Sequence, residues 1–114
     1  GLPEEPEWAR STWQSFCVRL PKGVDQRKTM QFMLDEGIAT RRGVMCSHRE
    51  ESYPKGTWSC AGRKDGCDCG ASSCQKLKHS EAAQDNAIIL PLFPQMSFEE
   101  QDFVVDALVR ALNI

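Results

Sequence analysis

The sequence predicts an α+β domain in which helices pack on one face of a small sheet, and three observations lead to this class. At 114 residues, the chain has the length of one domain. Its apolar content of 40% and its charged content of 26% are ordinary for a globular protein. Strand and helix patterns alternate along the chain without an internal repeat, and such a mixture is typical of α+β architecture.

The first strand is predicted by an apolar pattern with a period of two residues. Phe16, Val18 and Leu20 fall on one face of an extended segment, and Pro21 ends that segment. A helix is expected to follow, because the side chain of Asp25 can accept hydrogen bonds from the free N–H groups of a first helical turn.

The predicted first helix has Met30, Met33 and Leu34 at helical spacing, and Gly37 supplies its stop. A second strand is expected over residues 38–45, with a break at its glycine.

The C-terminal third of the chain predicts a helix, a strand and a longer helix. Residues 80–86 favour a short helix, and residues 88–90 form a short buried strand that prolines end. Ser97 and Glu100 have the spacing of a capping box, in which each side chain satisfies a free backbone N–H. The last helix presents one apolar stripe, formed by Phe103, Val104, Ala107, Leu108, Ala111 and Leu112.

Charge and hydropathy exclude several classes of partner. The net charge of -2 gives no electrostatic basis for binding nucleic acid or a membrane surface. No apolar run approaches the roughly 20 residues that span a bilayer. The acidic N-terminal residues 1–6 do not resemble a signal peptide, so a cytoplasmic location is expected.

Three stretches, in order along the chain, resemble one enzyme family. The stretch 11–21 (STWQSFCVRLP), the stretch 37–45 (GIATRRGVM) with His48 and Tyr53 after it, and the stretch 90–102 (LPLFPQMSFEEQD) are similar to segments of the DegT/DnrJ/StrS-type sugar aminotransferases. These are fold-type I enzymes that depend on pyridoxal phosphate. The chain resembles their C-terminal small domain over residues 1–114, with a cysteine-rich insert at about 54–78.

This resemblance implies a part in transferring an amino group from an amino donor to a nucleotide-linked keto-sugar. In the family, a lysine of the large domain holds pyridoxal phosphate as a Schiff base, and the enzyme is a homodimer. The large domain is not in this chain, so the chain alone is not expected to transaminate. It is expected to form part of the substrate cleft.

Four residues are the candidates for binding substrate. Arg41 and Arg42 suit a phosphate or carboxylate, although neighbours on a strand point to opposite faces, so at most one is expected to face the cleft. His48 is a candidate hydrogen-bond donor, with a structural or exposed role as its alternative. Tyr53 is either an aromatic lid on the cleft or a packing residue.

The insert carries a second signal, which is a set of four cysteines within fifteen residues. Four thiolates can hold a zinc ion tetrahedrally, and the resulting closed site would be structural. Residues 67–74 also resemble the short zinc-binding tail that follows SET methyltransferase domains. The predicted ligands are Cys60, Cys67, Cys69 and Cys74.

Two other functions remain open at this point. One is a non-catalytic binding module, derived from an aminotransferase domain and stapled by zinc. The other is a thiol-reactive protein, in which Arg63 and Lys64 would lower the pKa of a neighbouring cysteine.

Overall fold

The computed structural model of the protein describes residues 1–43, 45–53 and 76–112. These ranges contain helices, strands and one 3₁₀ turn, and they confirm the predicted α+β class with a small sheet. The strands are β1 (Phe16–Arg19), β2 (Arg41–Arg42) and β3 (Ala87–Leu90); the helices are α1 (Gln26–Asp35), α2 (Lys78–Asn86) and α3 (Phe98–Ala111); the 3₁₀ turn is Ser47–Arg49.

The sheet has the order β1-β3-β2, and both neighbouring pairs are antiparallel. The central strand β3 consists of four apolar residues. This composition is expected of a strand that has a neighbouring strand on each edge and packed side chains over it. In the register, Val18 of β1 and Arg42 of β2 both lie opposite Ile88. The last strand in the chain therefore joins two strands that come much earlier in it.

One face of this sheet supports the hydrophobic core. Val18 pairs with Ile88, and directly opposed residues of neighbouring strands project from the same face. Residues of α1 and α3 pack in the same cluster, so these two helices lie over that face, as predicted. Met33 of α1 and Ile88 are fully buried. The buried cluster consists of Val18, Leu20, Met33, Ile38, Ile88, Leu90, Val104 and Ala107.

The predicted helix signals at α1 and α3 are confirmed. Oδ1 of Asp25 accepts a hydrogen bond from the backbone N–H of Lys28 at 3.1 Å. At α3, Oγ of Ser97 accepts from the N–H of Glu100 at 3.2 Å, and Oε2 of Glu100 accepts from the N–H of Ser97 at 2.8 Å. Gly37 ends α1 with a φ of +81°, the left-handed conformation that glycine adopts without strain.

The second strand is shorter than predicted. The expectation of a strand over residues 38–45 is wrong at its start, because β2 comprises only Arg41–Arg42. The N–H of Ile38 donates to the carbonyl of Met33 at 2.8 Å, and the N–H of Gly37 donates to that of Leu34 at 2.9 Å. This bonding pattern is a Schellman motif, so Ile38 closes the helix instead of starting the strand.

Smaller corrections concern the helices. Helix α2 begins at Lys78, two residues before the predicted start at Ser80. Leu34 is 57% exposed and Phe103 is 49% exposed, so neither belongs to the core that their spacing predicted. In each case the adjacent residue, Met33 or Val104, is the one that is buried. None of the helices in the described ranges is long and apolar enough to cross a membrane.

Candidate functional site

A polar groove lies where α1, β2, the 3₁₀ turn and α2 meet. Its cavity volume is about 620 Å³, within the roughly 300–1,000 Å³ of small-molecule sites. We call it the arginine groove, because three arginines from three different elements line it. Its lining residues are Arg27, Arg42, Arg49, Glu50, Glu51, Ser52, Gln84 and Asp85.

The register of β2 decides which of its two arginines lines the groove. Arg42 lies opposite Ile88 and therefore projects from the face that carries the core and α1. Arg41 lies opposite Ile89, one residue away, and projects from the other face. Both side chains are exposed, and only Arg42 is among the residues that line the groove. The alternation expected from the sequence therefore selects Arg42 as the candidate ligand contact.

Gly43 fixes the chain immediately after Arg42. Its N–H donates to the carbonyl of Ala87 at 2.9 Å, which extends the pairing of β2 with β3 by one bond. A Cβ atom at this position would lie 2.5 Å from Sγ of Cys17 and 2.8 Å from Cβ of Ala87. Such distances are too short for any side chain, so the close approach of the strands here requires glycine.

Hydrogen bonds and ion pairs join the 3₁₀ turn to α2, and we call them the polar clamp. Nε2 of His48 lies 2.7 Å from Oε1 of Glu81, and Nη1 of Arg49 lies 2.7 Å from Oδ1 of Asp85. Nη2 of Arg49 also lies 3.7 Å from Oε2 of Glu81. The side chains of His48 and Glu81 are only 7% and 10% exposed. The hydrogen bond to Asp85 raises the pKa of Arg49.

A neutral amide extends this network to α1. Nε2 of Gln26 donates to the carbonyl of Gln84 at 2.8 Å and to that of Ala87 at 2.7 Å. Gln84 is buried, and its Oε1 lies 3.4 Å from Nη1 of Arg49. Sequence reasoning missed Gln26, Gln84 and Glu81. A buried polar residue on a helix leaves no apolar period, so the sequence pattern does not mark these three residues.

The structure separates the four predicted substrate contacts. Arg42 lines the groove, whereas Arg41 faces away from it. His48 is largely buried against Glu81, a contact that favours the structural alternative for this histidine. Tyr53 is 53% exposed and directly follows Ser52, which lines the groove. The roles of His48 as a donor to substrate and of Tyr53 as a lid stay predictions.

The predicted zinc ligands Cys60, Cys67, Cys69 and Cys74 lie outside the described residues. Within the described ranges, no group of three or more histidine, cysteine or acidic side chains could hold a metal ion. Cys17 and Cys46 are free thiols in these ranges. Burial raises the pKa of the Cys46 thiol.

The described residues do not form a pyridoxal phosphate site. A lysine that forms a Schiff base needs a desolvated setting, which lowers the pKa of its amine. The lysines in the described ranges are all exposed: Lys22, Lys28, Lys76 and Lys78. None of these lysines has the desolvated setting that a Schiff base with pyridoxal phosphate needs. No catalytic step that uses this cofactor is therefore assigned to the described residues.

Fold and groove together define an α+β domain with a small antiparallel sheet and an arginine-lined surface cavity. That class is compatible with binding an anionic small molecule. A comparison of the chain with known protein families finds no family model that matches it.

Proposed function

We propose that this chain is the C-terminal small domain of a nucleotide-sugar aminotransferase of the DegT/DnrJ/StrS type. In this proposal the arginine groove forms part of the wall of the substrate cleft. Pyridoxal phosphate and its lysine belong to a larger domain outside this sequence. The intact enzyme is a homodimer that aminates a nucleotide-linked keto-sugar.

The observation that carries this proposal is the arrangement of the three resembling stretches. Residues 11–21 include β1, residues 37–45 include β2, and residues 90–102 run from the end of β3 into α3. Both β1 and β2 pair with β3, so segments far apart in sequence adjoin in one sheet. Phe16 of the first stretch pairs with Leu90 of the third, and Arg41 and Arg42 of the second pair with Ile89 and Ile88, directly before the third. This common sheet supports the proposal that the three stretches belong to one small domain.

The chemistry of Arg42 also supports a substrate role. A guanidinium offers a planar fork of N–H donors that matches two oxygens of a phosphate group. Arg42 is exposed, and the register of the sheet directs it into the groove. The next residue, Gly43, donates its N–H to the carbonyl of Ala87, so the backbone beside Arg42 is held in place.

The test is the activity of the full-length product of the gene that encodes this chain. We expect an upstream domain with a cofactor lysine, and amino transfer from an amino acid to a nucleotide-linked keto-sugar, detected by mass spectrometry. Arg42→Gln should raise KM for the sugar substrate about tenfold, because it removes charge-assisted hydrogen bonds. The matched control Arg41→Gln removes the same charge from the other face of the strand and should leave KM unchanged.

A contrary outcome would favour another class of protein. If the reading frame begins at this chain and no keto-sugar is aminated, the aminotransferase proposal fails. One zinc ion per chain, measured by elemental analysis of that reduced product, would then favour the zinc-stapled binding module.

A further inference from the structure

Two arginines of the groove differ from the third in their environment. Arg49 is held by Asp85 and Glu81 in the polar clamp. The side chains of Arg27 and Arg42 have no hydrogen-bond or ion-pair partner among residues 1–43, 45–53 and 76–112. Both are exposed, and both line the same cavity. Two guanidinium groups are therefore available to a ligand in one groove.

A shared carbonyl brings these two arginines together. The carbonyl oxygen of Ala87 accepts from the N–H of Gly43 at 2.9 Å and from Nε2 of Gln26 at 2.7 Å. Gly43 follows Arg42 in the chain, and Gln26 precedes Arg27. Each arginine is therefore the chain neighbour of a residue that donates a hydrogen bond to the carbonyl oxygen of Ala87. The start of α1 and the end of β2 are pinned side by side, which fixes the backbones of both arginines.

The rest of the groove restricts the kind of anion that fits. Glu50, Glu51 and Asp85 balance the three guanidinium groups in formal charge. A dense polyanion would be repelled by Glu50 and Glu51, since Asp85 is already paired with Arg49. A ligand that presents phosphate oxygens to the arginines and hydroxyl donors to the two glutamates satisfies both sets of groups.

We propose that Arg27 joins Arg42 in binding the diphosphate group of a nucleotide-linked sugar, while Glu50 and Glu51 accept hydrogen bonds from the ligand's hydroxyl groups. This inference rests on the proposed function and adds to it a second binding residue on α1. Sequence reasoning did not find Arg27, because a charged residue on an exposed helix face ordinarily indicates only a solvated surface.

Binding to the full 114-residue chain tests the inference. UDP-glucose and inorganic pyrophosphate are titrated separately into isotope-labelled protein, and the arginine Nε–H resonances are followed by NMR. UDP-glucose should shift the resonances of Arg27 and Arg42. Arg27→Gln and Arg42→Gln should each weaken its binding about tenfold. Arg41→Gln, on the opposite face of the sheet, is the matched control and should bind like the unaltered chain.

Each other result overturns a stated part of the inference. If Arg27→Gln binds like Arg41→Gln while Arg42→Gln is weakened, Arg27 is not a binding residue, and the proposed function is untouched. If pyrophosphate binds as tightly as UDP-glucose with the same arginine dependence, the groove is a simple oxyanion site, and the assignment to nucleotide sugars fails. If neither probe causes a shift that depends on the arginines, the whole inference fails. Amino transfer by the full-length product is judged separately, so it distinguishes this failure from that of the proposed function.

Discussion

The helices α1 and α3 are held to the protein by a different kind of contact from that of α2. Helices α1 and α3 bury Met33, Val104 and Ala107 in the apolar cluster over the sheet. The buried residues of α2 are Glu81 and Gln84, and their contacts are polar. Side chains cap the starts of α1 and α3, whereas at the start of α2 no side chain of the described residues forms such a cap.

This contrast separates what builds the fold from what shapes the groove. Apolar burial is non-directional and fixes the layers of the domain. Hydrogen bonds and ion pairs depend on distance and angle, so they fix the position of a particular side chain. The polar clamp lies at the groove and holds Arg49 and Asp85 in its wall. We therefore expect changes in the core to unfold the domain and changes in the clamp to loosen the groove alone.

The largest expected effect comes from emptying the core. Met33→Ala removes a fully buried side chain and leaves a cavity, so it should lower the free energy of unfolding by about 2–5 kcal/mol. Leu34→Ala is the matched control, because Leu34 is the next residue of α1 and is 57% exposed. The control should change stability by no more than about 0.5 kcal/mol. Urea unfolding measures both, and equal losses in the two variants would contradict the assigned face of α1.

The second effect is local and concerns the polar clamp. Glu81→Gln removes the carboxylate that faces His48 and Arg49. The loss of these contacts should lower the free energy of unfolding of this region by about 1–3 kcal/mol. Amide hydrogen exchange should accelerate in α2 more than in α3, since α2 buries polar groups instead of apolar ones.

The control for the clamp is Asp106→Asn, which removes an exposed carboxylate from α3. It should leave exchange in α2 unchanged. If Glu81→Gln accelerates exchange equally in all three helices, the clamp and the core unfold as one unit, and the contrast between them is wrong.

The parts of the fold that depend on local chemistry could be predicted from the sequence. The Asp25 cap, the Ser97 capping box and the stop at Gly37 each involve residues close together in the chain. The period of β1 and the apolar run of β3 were equally visible. The short length of β2 was not, because Ile38 is apolar and its use in closing α1 depends on the helix that precedes it.

The candidate site was predicted only in part, for the same reason. Alternation along a strand limited the choice to Arg41 or Arg42, but the pairing of β2 with β3 was needed to select Arg42. His48 and Glu81 are 33 positions apart, and no local pattern links residues at that distance. The hydrogen bond from Gln26 to the carbonyl of Ala87 connects residues that are 61 positions apart. Contacts of this kind follow from the topology, which the sequence pattern did not specify.

The smallest expected effect concerns Glu99, which lies in the first turn of α3 beside the side-chain cap at Ser97. The backbone N–H of Glu99 itself and the hydroxyl of Ser97 hold the pKa of the Glu99 carboxyl below its usual value of 4.5. Because the folded pKa lies below the unfolded one, the charged carboxylate stabilises the fold above about pH 4.5, and this contribution is lost as the pH falls through the folded pKa. Glu99→Gln should therefore lower Tm slightly at pH 7, and the difference from the unaltered chain should shrink as the pH falls through the folded pKa. Asp106→Asn removes the same charge in the middle of α3, beyond the first turn where a helix end favours anions, so its effect on Tm at pH 7 should be smaller. Thermal unfolding followed by circular dichroism across this range measures both variants, and a Tm difference for Glu99→Gln that grows as the pH falls would refute the assignment.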